Sequence, residues 1–307
     1  DPAALQSALD DIVARHDALR MKFDRSGTSF DVLAPYALDL PLHDVSAEDN
    51  PEQAFQDFLQ DDAKTPVDIT AGPPIRAALV RLGAQSHVLV LTTHHIACDG
   101  WSYGVIFEDL VALYTAKVGG TDASLAAAPS FAAHAQAENA KGPNAATQAF
   151  WKAQFETVPP LPELPTDAPR SAVKSFAGAT AHGTVPLDEV KALRKAGAKQ
   201  GCTLFASLFA AMQMTLGRLS GAQDLVIGVP TGGQALLEDQ NLVGHLVNFL
   251  PIRGEFALNE PVAEHLKRVS ATLLNAFDHQ DTTYGALVRE LNIARSLNRL
   301  PLTEVQF

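Results

Sequence analysis

Apolar positions recur at helical spacing through residues 3–17, with Leu5, Leu9, Ile12 and Val13 on one stripe. After the Gly27 turn, Phe30, Val32 and Leu33 predict a short strand, and Pro51 opens a helix marked by Phe55, Phe58 and Leu59. Two β-rich runs, Ile75 to Leu82 and His87 to Thr93, flank Gly83-Ala84-Gln85-Ser86 and predict an antiparallel hairpin. The second run is apolar enough to predict a buried strand. Helices are predicted over Tyr103 to Ala116, Phe131 to Ala140 and Ala145 to Phe155, with a Gly- and Ala-rich loop at 117–128.

Thr157 to Pro169 holds five prolines in thirteen residues, which excludes helix and central strand and predicts an extended spacer. The pattern therefore divides the chain into a lobe at 1–156, a linker at 157–169 and a second lobe at 170–307. Beyond the linker, Ser175 to Val185 predicts a strand and Asp188 to Gln200 a helix. Thr203 can cap a helix over Leu204 to Leu219 that ends at Gly221 and is apolar around most of its circumference, hence buried. Strands are predicted at Asp224 to Val229 and Leu246 to Ile252, with an ordered loop over Pro230 to Leu242 between them. Helices over Pro261 to Phe277 and Thr283 to Leu291 follow, and Pro301 to Phe307 has the pattern of a strand beginning. Strands and helices alternate on both sides of the linker, which predicts two α/β lobes.

A length of 307 residues suits two domains, and 47% hydrophobic residues suffice for a core in each. A net charge of −12 lacks the basic footprint of a nucleic-acid binder. No apolar run reaches membrane-spanning length. Asp1-Pro2-Ala3-Ala4 has neither an initiator Met nor the basic opening of a signal peptide, which suggests a segment of a longer polypeptide. Two cysteines, Cys98 and Cys202, do not make a disulfide framework, so the expected compartment is the reducing cytoplasm.

The chemistry concentrates where the hairpin ends, at Thr93-His94-His95-Ile96-Ala97-Cys98-Asp99-Gly100-Trp101-Ser102. His94 and His95 sit at the mouth of the strand, where side chains alternate, so they point to opposite sides and do not easily chelate one metal ion together. A histidine facing a crevice suits proton transfer near neutral pH. Asp99 either orients such a base or, as an Asp before Gly, serves the loop backbone; spacing favours the structural role. Cys98 beside histidine raises a thiolate nucleophile against the simpler reading of a small buried filler. Cys202 reads as filler, His16, His245 and His279 as structural histidines, and Trp101 and Trp151 as core, with Trp101 also able to line a cavity. No metal-ligand spacing and no phosphate-binding Gly loop is present.

The run His94-His95-Ile96-Ala97-Cys98-Asp99-Gly100 resembles the His-His-x-x-x-Asp-Gly signature of the condensation domains of nonribosomal peptide synthetases, relatives of chloramphenicol acetyltransferase. Arg15-His16-Asp17-Ala18-Leu19-Arg20-Met21-Lys22-Phe23 resembles that family's upstream Arg-His-Glu-x-Leu-Arg-Thr-x-Phe element. Phe150-Trp151 with Leu161 to Asp167 looks like its interlobe linker, and Val243-Gly244-His245-Leu246-Val247-Asn248-Phe249-Leu250-Pro251-Ile252-Arg253 is similar to Val-Gly-x-Phe-Val-Asn-Thr-x-x-x-Arg. His279-Gln280-Asp281 and Ala294 to Leu302 follow in order, so the resemblance covers essentially the whole chain.

The resemblance implies two chloramphenicol-acetyltransferase-like lobes in a V around a tunnel, with carrier proteins docking at its mouths. His95 would be the catalytic histidine. His94, Asp99, Gly100 and Arg253 would shape the site, with Asp99 paired to Arg253. Trp101, Ser102 and Asn248 would line the tunnel, and Thr231 to Asn241 would close its floor. The implied reaction joins a carrier-bound acyl or peptidyl thioester to a carrier-bound aminoacyl amine. No cofactor is bound directly, since the substrates ride on 4′-phosphopantetheine. The implied partners are donor and acceptor carriers and neighbouring synthetase or polyketide synthase domains, without nucleic acid, membrane or metal.

Departures are that Gln234 stands for a common Arg, and His245 and Phe249 for common Phe and Thr, a combination like that of hybrid polyketide–peptide assembly lines. The family's usual opening element and about a quarter of its length at the C-terminal end are absent. Other acyltransferases of the same fold, ester-forming or coenzyme-A-dependent, and a non-catalytic recruitment module are the rival readings.

Overall fold

Asp1 starts the first helix, α1 (Pro2–Arg15), by accepting from the Ala3 and Ala4 backbone N–H groups at 2.8 and 3.0 Å. The stripe Ala8, Leu9, Ile12 and Val13 is buried, and the Arg20 guanidinium caps the helix end by donating to Val13 and Ala14 O. Two short paired strands follow, β1 (Met21–Phe23) and β2 (Phe30–Val32). β3 (Leu42–Asp44), α2 (Pro51–Lys64), β4 (Ile75–Gly83) and β5 (Ser86–Thr93) come next. β4 and β5 form the expected antiparallel hairpin, with Ile75 opposite Thr93 and Leu79 opposite Leu89. β3 joins β4 in parallel, giving the order β3-β4-β5. β4 is therefore the buried centre, and β5 is half-buried where the sequence predicts a buried strand. Leu89 and Leu91 of β5 pack against the first core, while Val88 to Thr93 are half-buried on both alternating faces. α3 (Gly100–Gly119) packs on α1, and α4 (Phe131–Lys141) completes this part.

A computed structural model describes residues 1–175, 177–237 and 240–307, without the side chains of Ala235 and Leu236. Two compact units emerge: residues 1–142 with 232–247, and residues 143–231 with 248–307. The division thus falls at Gly142/Pro143, ahead of the proline-rich stretch that the sequence makes a linker. That stretch does not behave as a free spacer. Pro162 is buried, Leu164 packs on the second core, and Glu163 pairs with Arg299 at 2.7 Å.

The second unit holds α5 (Ala145–Gln154), α6 (Leu187–Ala198), α7 (Leu204–Ser220), most of β6 (Asp224–Gly232) and β7 (Val247–Glu255), α8 (Val262–Asp278) and α9 (Tyr284–Glu290). Thr203 caps α7 and Gly221 ends it in the left-handed region at φ 71°, as the sequence predicts. α7 is not buried all round, because Phe205 and Leu208 are each 39% exposed. The expected strand over 175–185 does not form among the described residues, and Phe176 lies outside them. The described residues of the run, Val185 among them, are exposed and Gly178 and Gly183 interrupt it, so it buries too little to hold a strand. β6 and β7 are hydrogen-bonded neighbours. The C-terminal residues begin a parallel strand on β6, where Gly228 N donates to Val305 O at 2.8 Å and Phe307 N to Gly228 O at 2.9 Å.

Gly228 lies under the Phe249 ring of the adjacent strand, and a Cβ there would fall 1.8 Å from it. Gly228→Ala therefore lowers stability by about 1–3 kcal/mol through overpacking. Thermal melting checks this, and the loss is smaller in a Phe249→Ala background.

Candidate active site

The site of the first unit is built on the turn between β5 and α3. β5 ends at Thr93, and His94 to Ala97 turn, with Ala97 N donating to His94 O at 2.9 Å. Strand alternation therefore does not separate the two histidines; the turn does. His94 is half-buried and its Nδ1 accepts from Ile96 N at 3.1 Å, which fixes the turn. His95 is exposed, and its Nδ1 lies 3.1 Å from His245 Nδ1. The two rings meet edge to face with centroids 4.9 Å apart.

Asp99 is the N-cap of α3 and only 1% exposed. Its Oδ1 accepts from Ser102 N at 2.9 Å and from Gln234 Nε2 at 2.9 Å. Its Oδ2 accepts from Gln234 Nε2 at 2.8 Å and from Leu246 N at 3.0 Å. The Ser102 hydroxyl reaches Oδ1 at 2.8 Å and Gly244 O at 2.9 Å, and it accepts from Gly244 N at 3.0 Å. Burial alone would raise the Asp99 carboxyl, but these donors together outweigh it and hold the group below the ordinary carboxylate value. Every donor named is neutral. Gln234 Oε1 is buried and finds no hydrogen-bond partner among the described residues, because the amide must turn its NH2 to the carboxylate.

The pairing of Asp99 with Arg253 implied by the resemblance is therefore corrected. Arg253 lies on β7 in the second unit and grips Asp224 there, Nη2 to Oδ2 at 2.6 Å and Nε to Oδ1 at 3.0 Å. Its Nη1 donates to Gln154 O and Thr157 O at 2.5 and 2.7 Å, tying the end of α5 to β7. Gln234, not Arg253, is the partner of Asp99.

Other expected site residues also change place. Ser102 is fully buried and spends its hydroxyl on Asp99 and Gly244, so it does not line a surface. Asn248 donates to Gln280 O and Thr282 O at 2.9 and 2.7 Å and accepts from Tyr284 N, so it organises the entry to α9. Gly100 is the first residue of α3, with open space where a Cβ would go. Of the two places expected for Trp101 it does not take the core: it is 44% exposed, with its indole N–H donated to Gln240 O at 2.8 Å. Trp151 is buried as expected. Cys98 is buried, which pushes its thiol up to about 11 and suppresses the nucleophilic thiolate.

Sequence reasoning names Gln234 only as a departure from a common Arg and His245 only as a structural histidine; the structure brings both to the motif. Both come from the loop expected over Pro230 to Leu242 and the segment after it. Of the stretch Thr231 to Asn241, Glu238 and Asp239 lie outside the described residues. Two glycines let this segment approach. A Cβ at Gly233 would meet Leu246 O at 2.4 Å, and one at Gly244 would meet the Phe131 ring at 2.0 Å. Phe131 is itself placed by the upstream element. Asp17 accepts from Phe131 N at 2.8 Å and Ala132 N at 3.1 Å, while Arg15 and His16 hold Asp109 of α3 at 2.6 and 2.9 Å. Burial lowers His16, which fits its structural role; His279 stacks on Phe150 at 4.1 Å and is likewise structural.

Among the described residues no cluster of three His, Cys, Asp or Glu side chains has metal-holding geometry, and no helix is long and apolar enough to cross a membrane.

This arrangement is a folded version of the signature seen in the sequence, and the chain belongs to the condensation-domain family, whose model matches residues 1–307. It is 37% identical over its whole length to part of a linear gramicidin synthase protein of Brevibacillus parabrevis, covering 4% of that protein. It is 36% identical over 99% of its length to part of chondramide synthase cmdD of Chondromyces crocatus, covering 8% of it. The chain thus spans a small fraction of the curated relatives it matches. Among solved structures it is similar to the X-domain from teicoplanin biosynthesis, with a TM-score of 0.90 and 27% identity over 100% of this chain and 69% of that one. It is also similar to the first condensation domain of the calcium-dependent antibiotic synthetase, with a TM-score of 0.78 and 25% identity over 96% and 70%.

Asp99→Asn replaces an acceptor of five contacts by a group that must present NH2 to donors. It costs about 3 kcal/mol. Because the folded carboxyl sits below its ordinary value, the stabilisation is present above the unfolded value of about 3.9. It is lost as pH falls through the folded value. The gap between wild type and Asp99→Asn, read by denaturant melts, therefore narrows below about pH 4. Arg253→Ala costs about 2–3 kcal/mol. In a double-mutant cycle the two losses add to within about 0.5 kcal/mol, as separate networks require; strong coupling would restore the Asp99–Arg253 pair.

Proposed function

We propose that the chain is a catalytic condensation domain that forms an amide bond between a carrier-bound acyl or peptidyl thioester and a carrier-bound aminoacyl amine. The observation that carries this reading is the exposed His95 imidazole, presented by a turn that leads into the buried Asp99 cap, which fastens Ser102, Gln234 and Leu246 around it. The α-amine of the acceptor attacks the thioester carbonyl, the new C–N bond forms, and the C–S bond breaks. His95 takes the proton lost by the nitrogen and returns it to the departing thiolate. An α-amine titrates near ~7.7–8, so a base at this point sustains attack at neutral pH. Holding amine and thioester together supplies a further share of the rate.

Both substrates arrive on 4′-phosphopantetheine arms of carrier proteins, in a multidomain cytoplasmic synthetase or hybrid with polyketide synthase domains. The relatedness to gramicidin and chondramide synthases supports this setting. Trp101, exposed one turn beyond the histidines, is the side chain of the motif best placed to touch a substrate.

One observation favours a second reading. The X-domain matches the whole chain at TM-score 0.90, and that domain has been solved in a complex with OxyB. A recruitment module needs no exposed base, whereas this chain keeps His95. With preloaded donor and acceptor carriers, His95→Ala abolishes formation of the dipeptidyl carrier while melting as wild type does. Undiminished turnover by that variant removes the catalytic reading. A hydroxyl acceptor and free coenzyme A thioesters, tested in the same assay, separate the amide-forming activity from other acyl transfers.

A further inference from the structure

Resting on the catalytic reading of His95, we propose that His245 is a positioning residue: a neutral imidazole that accepts from His95 Nδ1–H and so leaves the His95 Nε2 lone pair as the working base. The 3.1 Å separation of the two Nδ1 atoms has room for one hydrogen between them. If His245 supplied it, His95 would be the Nε2–H tautomer and could not take a proton at Nε2. If His95 supplies it, Nε2 is free. Only the second arrangement also survives proton transfer, because protonated His95 donates from both nitrogens and its Nδ1–H still meets a lone pair.

His245 is built for that part. It lies in Gly244-His245-Leu246, whose flanking backbone groups are fastened by Ser102 and Asp99. Its ring is set edge-on to His95 rather than stacked on it. Partial desolvation of the otherwise exposed ring first, and then the charge that His95 can carry, hold it below the ordinary histidine value, while Asp99 and a hydrogen bond to the His95 backbone oppose this. A neutral His245 is what the bond requires, since a charged one has no lone pair to offer. When the amine loses its proton to His95 Nε2, no proton need leave Nδ1: it stays between the two rings until Nε2 hands its own proton to the thiolate.

The test uses the whole chain labelled with ¹⁵N-histidine, together with preloaded carriers. In the wild type, ¹⁵N shifts report His95 as the Nδ1–H tautomer. His245→Phe keeps the ring shape and removes the acceptor; His95 then moves to the Nε2–H form. The turnover number falls about 10- to 100-fold, with the KM for the acceptor carrier changed less than about twofold. His245→Asn, whose amide oxygen accepts but does not titrate, restores both the tautomer and most of the rate. If the Phe variant does not fold, His245→Ala with the same tautomer measurement decides. An unchanged His95 tautomer, or a His245→Phe turnover within about twofold of wild type while His95→Ala is inactive, overturns the proposal. Turnover by His95→Ala overturns instead the reading on which it rests.

Discussion

A carboxylate taken out of water must be answered on every lone pair, and at Asp99 that requirement organises the first unit. Its donors come from three places in the chain: the first turn of α3, Gln234 and Leu246. None of the three segments can move without leaving a buried charge unanswered. The positive end of α3 adds its field in the same direction, so an anion at its N-cap is favoured before any side chain is counted. Because the donors named are neutral, the stabilisation depends on hydrogen-bond geometry more than on charge pairing. Geometry is the less forgiving of the two, since a hydrogen bond weakens steeply with misalignment while a Coulomb term does not.

That demand explains features far from the motif. Leu246 N reaches Asp99 only if Gly233 and Gly244 carry no Cβ, since Leu246 O and the Phe131 ring occupy that space. Phe131 stays where it is because Asp17 caps its helix, and Asp17 follows the Arg15 and His16 pair that holds α3. The upstream element thus reaches the active-site turn by a chain of contacts rather than by touching it. Arg253 does the equivalent work in the second unit, joining β7, Asp224 and the end of α5.

The elements with strong periodicity are legible in the sequence: the β4–β5 hairpin, α7 with its Thr203 and Gly221 ends, and α8. Asp99 as a backbone-serving residue is legible too, because an Asp before a helix start is a cap by local chemistry alone. What escapes is long-range partner choice. Arg253 and Gln234 are both plausible partners for Asp99 by residue type, and only the folded chain brings Gln234 to it. Ser102 and Asn248 look like polar residues awaiting a ligand, yet Ser102 spends its hydroxyl on the Asp99 carboxylate and the Gly244 backbone, and Asn248 its amide on the backbone leading to α9. The 175–185 run fails because strand pattern without apolar mass and a neighbour to pair with does not make a strand. His245 reads as structural because nothing local distinguishes a histidine that packs from one that meets another histidine 150 positions away.

The choice of an imidazole rather than a carboxylate beside His95 has a physical logic. A carboxylate favours the charged form of a neighbouring imidazole, which suits a group that must stabilise a persistent cation. Attack by an amine on a thioester asks for something milder, a base that takes a proton and soon returns it to sulfur. A neutral acceptor orients the ring and fixes its tautomer without adding a charge that would retain the proton. The carboxylate that lies nearby, Asp99, has its oxygens committed to the loop, so its field reaches His245 while its lone pairs do not. Dividing the tasks this way lets one acidic residue fix the backbone with full hydrogen bonding while a separate uncharged ring sets the direction of the base.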